Sequence, residues 1–173
     1  MTVRTKSPIG WAALLAAVLI CALGAWSYTE ARGDRTLAYA KSRDAALADG
    51  KRHLARLTTM NGKSAASVES GLEAWLAAST GPLRERLRSS RKKDAGELVR
   101  AGATAHGKVT DAALTALDER AGTAALIATV DVVVTPRTGR AGTERKRFEA
   151  TLARTGEGWK VKALDAVPVG SGT

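Results

Sequence analysis

The sequence predicts an α+β domain held to a membrane by one N-terminal helix, with three helices packed on a four-stranded antiparallel sheet. An uninterrupted apolar run occupies residues 9–26. Apolar residues at helical spacing follow up to about residue 93. Alternating segments rich in β-branched residues, joined by short turns, fill residues 98–167. Helices that precede such a strand meander typically cover one face of its sheet.

The apolar run, IGWAALLAAVLICALGAW, carries no charge and is close to the minimum length for a membrane-spanning helix. Arg4 and Lys6 precede it, as in a signal peptide or a signal anchor. Trp26 and Tyr28 follow it, and aromatic side chains suit the membrane interface. We therefore expect an uncleaved, single-pass signal anchor in the cell membrane, with a cleaved signal peptide as the alternative.

Basic residues flank this anchor on both sides, so their number does not predict which end of the anchor faces the cytoplasm. Long C-terminal domains translocate regardless of nearby charge, and we expect the domain to lie outside the membrane. The predicted organisation is a short cytoplasmic N-terminus (1–8), the transmembrane anchor (9–26), a long helix continuing from the membrane into the domain (27–62), the remainder of the domain (63–169) and a loose tail (170–173).

Small side chains recur every fourth residue of the anchor, at Ala13, Ala17, Cys21 and Ala25. Such a face allows close contact with another membrane helix, although an alanine-rich composition explains it equally well. Cys21 is the only cysteine, which excludes a disulfide within one chain and a cysteine-based zinc site.

Three helices are predicted after the anchor. The first covers residues 30–59 and ends near Asn61-Gly62, a favourable left-handed stop. The second covers Ala65 to Ala78, with Ser64 as its cap and an apolar face formed by Val68, Leu72, Trp75 and Leu76. The third begins at Pro82 and ends near Lys93.

Four strands are predicted next, at residues 98–117, 124–135, 145–154 and 159–167. The second of them, AALIATVDVVVT, is the strongest strand signal in the chain. Short segments rich in glycine separate the strands at residues 118–122, 136–143 and 156–158.

Four short motifs occur in order along this chain: SRDAAL at residues 42–47, LTT at 57–59, STGPLRE at 79–85 and LARTGEGWKV at 152–161. Together with the anchor they resemble the Mce-associated membrane proteins of actinobacteria. The resemblance implies an NTF2-like fold, in which a curved sheet wraps around helices. It also implies an accessory, single-pass partner of the Mce systems, which import lipids or sterols through a permease and an ATPase.

No catalytic, cofactor-binding or metal-binding set is visible. His53 lies in the polar stretch Lys51-Arg52-His53 and is expected on a solvated helix face, and His106 is expected in a structural or surface role. Asp131 interrupts the most apolar strand. It is either a general base whose pKa burial raises, or an outward-facing residue beside a basic neighbour, which we prefer.

A basic segment is the most suggestive surface feature. Within ten residues it contains Arg84, Arg86, Arg88, Arg91, Lys92 and Lys93. No aromatic residues interleave these side chains, which argues against nucleic acid as a partner. The expected partners are anionic lipid or an acidic patch on another protein, and the alternative is a merely solvated face.

The leading hypothesis is therefore a non-enzymatic, membrane-anchored accessory or scaffold protein of an Mce-type lipid or sterol import system. The alternative is a membrane-tethered lipid-binding module that holds apolar cargo in the cone of the fold. An enzyme with an NTF2-like fold is the third reading, because no nucleophile–base pair is visible.

Overall fold

The computed structural model describes residues 20–21 and 36–168. The chain forms two compact units, Met1–Lys41 and Ser42–Thr173. In the first, Ile20 and Cys21 are helical and exposed. The rest of the predicted anchor, with the other three residues of its small-residue face, lies outside the described residues. Within the described ranges, no helix combines the length and the apolar character that crossing a membrane requires.

Three helices and five strands are described. In chain order they are α1 (36–57), β1 (Met60–Asn61), α2 (Ala65–Ala78), α3 (Gly81–Ala101), β2 (Thr104–Asp118), β3 (Thr123–Thr135), β4 (Gly142–Thr155) and β5 (Gly158–Val167). The sheet is an antiparallel meander with the order β1-β2-β3-β4-β5. The predicted α+β class is confirmed. The sheet has a fifth strand because the two residues of β1 pair with the start of β2.

Helix α1 covers one face of this sheet. Its Ala46 and Leu54 are completely buried against side chains of β3 and β4. At Gly50, an added Cβ would lie only 3.0 Å from Cδ2 of Leu126 and 3.0 Å from Cδ1 of Leu152. Helix and sheet are therefore in direct contact at Gly50, without intervening space.

Helix α2 has the predicted bounds and the predicted cap. Ser64 Oγ accepts a hydrogen bond from the Ser67 backbone N–H at 3.2 Å, and Ser67 Oγ interacts in return with the Ser64 backbone N–H. The indole N–H of Trp75 donates to the carbonyl oxygens of Arg56 (3.0 Å) and Thr59 (2.9 Å). These bonds fasten α2 to the C-terminal end of α1.

Helix α3 is longer than predicted. It runs to Ala101 rather than Lys93 and ends at Gly102, whose left-handed φ of 60° suits glycine. The predicted end near Lys93 is wrong because Leu98 and Val99, beyond it, pack on the cluster of Met60, Val68 and Leu72. As a consequence, β2 begins at Thr104 and not at residue 98.

Irregular pairing bends the sheet. The register between β2 and β3 shifts at Val109/Asp111 and again at Leu114/Ala116, and the β4–β5 register shifts at Thr151/Leu152. Bulges of this kind increase the local twist of a strand. They allow one curved sheet to follow the surface of α1.

Candidate interaction surface

The basic segment is held in place by the start of α3. The Thr80 backbone N–H donates to the Val161 carbonyl oxygen at 2.8 Å, which ties the segment before the helix to the edge of β5. Gly81 then adopts a positive φ of 53°, a conformation that glycine accepts without strain, and Pro82 follows in the first helical turn. The beginning of α3 is therefore fixed to the sheet.

All six basic residues singled out from the sequence lie on α3, and they differ in their surroundings. Arg86, Lys92 and Lys93 are exposed, with no carboxylate partner in the part of the chain that is described. Arg88 is also exposed, and its Nη1 lies 3.8 Å from Oε2 of Glu85. These four side chains are available to a partner.

Arg91 and Arg84 are half-buried, and they differ in their contacts. Arg91 binds the carboxylates of Glu69 and Glu73 on α2, with 3.5 Å between its Nη2 and Oε1 of Glu73. The hydrogen bond that Arg91 donates to Glu69 is the main cause of a raised pKa of Arg91. Arg84 has a buried Nε without a hydrogen-bond partner among the described residues. Arg91 therefore joins α3 to α2.

The exposed side of α3 carries a further basic residue. Arg86, Lys93 and Arg100 are exposed and follow one another at intervals of seven residues, which places them on the same side of the helix. Arg100 also donates from Nε to the Gly96 carbonyl oxygen at 3.2 Å. Arg100 was not among the predicted basic residues because the helix was expected to end near Lys93. We call the set Arg86, Arg88, Lys92, Lys93 and Arg100 the α3 basic surface.

His53 is buried, contrary to the prediction of a solvated face. Its side chain is 6% exposed, and its Nδ1 has no hydrogen-bond partner among the described residues. Burial, and then the neighbouring charge of Arg52, lower the pKa of His53 below its ordinary value. The sequence contained the signal, because His53 follows Ala46 by seven residues and precedes Leu57 by four, on the apolar side of α1.

Asp131 faces away from α1 on β3, as the preferred interpretation predicted. Arg145 of β4 holds it with two hydrogen bonds, from Nε to Oδ1 at 2.8 Å and from Nη2 to Oδ2 at 3.2 Å. The hydrogen bond from Arg145 lowers the pKa of Asp131, the opposite of what a general base at neutral pH needs. The reading of Asp131 as a base activated by burial is therefore wrong.

A metal site would need several histidine, cysteine or carboxylate side chains close together. His106 is exposed on β2. Within residues 20–21 and 36–168, no three histidine, cysteine, aspartate or glutamate side chains come close enough to hold a metal ion.

No family model matches the chain, and no curated protein matches it in sequence. Among solved structures, a periplasmic fragment of TraM has a TM-score of 0.56 and 12% identity, and the match covers 73% of this chain and 97% of that one. CagV from Helicobacter pylori strain 26695, a VirB8 homolog of a type IV secretion system, has a TM-score of 0.56 and 10% identity, with 73% and 98% covered. An Ntf2-like protein involved in plasmid conjugation has a TM-score of 0.46 and 9% identity, with 76% and 51% covered.

At these identities the likeness concerns the fold alone. Helices that precede an antiparallel meander, with one helix covering the curved sheet, form the architecture expected from the sequence. From Ser42 to Pro168 the chain forms an α+β domain whose fold is similar to those of the TraM fragment and CagV.

Proposed function

We propose that this protein is a non-enzymatic, single-pass membrane accessory or scaffold subunit, associated with an Mce-type lipid or sterol import system. In this proposal the N-terminal run anchors the chain in the cell membrane and the NTF2-like domain lies on the extracytoplasmic side. There the α3 basic surface contacts a partner subunit or anionic lipid headgroups.

The observation that carries the proposal is the likeness in fold to CagV, together with the predicted anchor. CagV is a VirB8 homolog of a secretion system, and the TraM structure is a periplasmic fragment. Each match covers nearly the whole length of the solved structure, 97% for the TraM fragment and 98% for CagV. A periplasmic location and a part in a secretion system are thus compatible with this fold. The Mce assignment itself rests on the sequence motifs.

The chemistry of the domain supports a role without catalysis. Asp131 is held as an ionised partner of Arg145, and the buried His53 has no carboxylate or hydroxyl hydrogen-bonded to it among the described residues. A nucleophile activated by an adjacent base is the usual signature of covalent catalysis, and neither residue belongs to such a pair.

The alternative, apolar cargo held in the cone, meets a steric obstacle. The contact of Gly50 with Leu126 and Leu152 leaves no space between α1 and the sheet at that position. Cargo there would require α1 to move away from the sheet. This favours the accessory role over the lipid carrier.

The test is purification of the tagged full-length protein from its native membranes after mild crosslinking, with identification of the proteins recovered. Recovery of Mce-domain proteins or their permease supports the proposal. A variant with glutamine at Arg86, Lys92 and Lys93 should recover less of them. The matched control carries glutamine at Arg120, Arg140 and Arg147, three exposed residues outside α3 that form no ion pair within the described part of the chain. Abundant, intact protein recovered without these partners would refute the Mce association.

A further inference from the structure

A groove between α1 and α2 forms a second feature that could bind a ligand. It has a volume of about 470 Å³, within the range of small-molecule sites, and it extends from the C-terminal part of α1 across α2 to the beginning of β2. Its apolar lining comes from Ala55, Met60 and Ala74. We call it the α1–α2 groove. It is separate from the α3 basic surface.

Hydrogen-bond donors without partners line this groove. The Arg56 guanidinium, the Ser70 hydroxyl and the His106 ring take part in no side-chain hydrogen bond or ion pair within residues 36–168. The Asn61 side chain accepts from the Lys63 backbone N–H at 3.1 Å through Oδ1, which leaves its amide N–H groups as donors. Four side chains of the groove can therefore donate to a ligand.

Two other polar residues of the lining are already engaged. Thr59 Oγ1 donates to the Ala55 carbonyl oxygen at 2.8 Å and accepts from the Gly107 backbone N–H at 3.1 Å. Ser67 belongs to the cap of α2. The free hydrogen-bonding capacity of the groove thus consists mainly of donors.

The lining of the groove carries positive and no negative charge. No carboxylate is among its lining residues, and Arg56 supplies a positive charge. The nearest acidic residues of α2, Glu69 and Glu73, are bound to Arg91 on the side of α3. A guanidinium beside neutral donors matches a ligand with a single negative charge, and its planar fork suits a carboxylate.

From this combination of donors, positive charge and apolar lining, we propose that the α1–α2 groove binds an aliphatic monocarboxylate. The carboxylate is bound by Arg56, with Asn61, Ser70 and His106 as additional donors. The hydrocarbon chain lies on Met60, Ala55 and Ala74. This site does not depend on the proposed accessory function, and it takes a ligand without moving α1 from the sheet.

The experiment measures octanoate binding to the full-length protein in nanodiscs of zwitterionic lipid, by isothermal titration calorimetry, with empty nanodiscs as the blank. Octanol, of equal chain length and without charge, is the comparison ligand. Arg56→Gln removes the charge of the groove, and Ser70→Phe fills it from an exposed position of α2. Arg140→Gln, in the loop between β3 and β4, makes the same change of charge elsewhere. Circular dichroism and thermal melting confirm that each variant is folded.

We expect saturable octanoate binding that is equal within about twofold in the wild type and Arg140→Gln. Both groove variants should bind at least about tenfold more weakly, because Arg56→Gln removes a charge-assisted hydrogen bond and Ser70→Phe occupies the groove. Octanol, which also lacks that bond, should bind the wild type at least about tenfold more weakly than octanoate. The proposal is overturned if octanoate does not bind above the blank, if Arg56→Gln binds it as tightly as the wild type, or if octanol binds equally well.

Discussion

Replacing Gly50 by leucine should destabilise the domain, because α1 lies directly on the sheet at this residue. A Cβ there would already be 3.0 Å from Leu126 and Leu152, closer than the 3.4–4 Å of ordinary contact. Leucine adds three more carbon atoms, and overpacking of a core costs about 1–3 kcal/mol. The better helix propensity of leucine offsets about 0.8 kcal/mol of this cost. We expect a net loss of about 0.2–2.2 kcal/mol in the free energy of unfolding.

The assay is urea unfolding of the full-length protein in mild detergent, followed by tryptophan fluorescence. Gly96→Ala in α3 is the matched control, because nothing lies within 4 Å of the Cβ that it adds. This control should raise the free energy of unfolding by up to about 1 kcal/mol. A Gly50→Leu protein at least as stable as the wild type would refute the reasoning, since it would reveal free space between α1 and the sheet. Space for apolar cargo would then exist between α1 and the sheet, as the lipid-carrier alternative requires.

Three further predictions follow from the charged groups. The pKa of His53 is lowered from 6.5, so the folded state binds fewer protons than the unfolded state, and urea midpoints should fall as the pH falls below about 6.5. His53→Gln should flatten this fall, and His106→Gln should not. The pKa of Asp131 is lowered from 3.8, so Asp131→Asn should reduce the urea midpoint at pH 7, and the difference should disappear as the pH falls well below 3.8. A variant with glutamine at Arg86, Lys92 and Lys93 removes three charges from the α3 basic surface. At about 1 kcal/mol per charge, it should bind anionic vesicles about a hundredfold more weakly in a flotation assay at low salt. Equal flotation of the variant and the wild type would show that this surface does not bind lipid.

Local signals in the sequence were sufficient for α2 and, within a few residues at their ends, for the strands β3, β4 and β5. Ser64 and the spacing of Val68, Leu72 and Trp75 define that helix, and each of these residues makes the expected cap or contact. In β3, alternation separates the buried residues from the outward-facing Asp131, so its orientation could be read from the pattern alone. Such features depend on neighbours close in the sequence.

Features set by distant contacts could not be predicted in the same way. The third helix was predicted to end near Lys93, yet α3 continues because Leu98 and Val99 pack on an apolar cluster of α2 and β1. The strand β1 has only two residues, and it exists through pairing with Ala105 and Thr104. The α1–α2 groove combines residues from α1, β1, α2 and β2, and no single segment of the sequence indicates it.

The most direct test of the account is the membrane topology of the protein. Thr138, in the exposed loop between β3 and β4, can be replaced by cysteine in a Cys21→Ser background. Spheroplasts that express this variant are treated with a membrane-impermeant maleimide, before and after permeabilisation, and membranes are washed with alkaline carbonate. The account predicts labelling at Thr138→Cys in intact spheroplasts and retention in the washed membranes. Labelling only after permeabilisation, or release by carbonate, would contradict an anchored domain on the extracytoplasmic side.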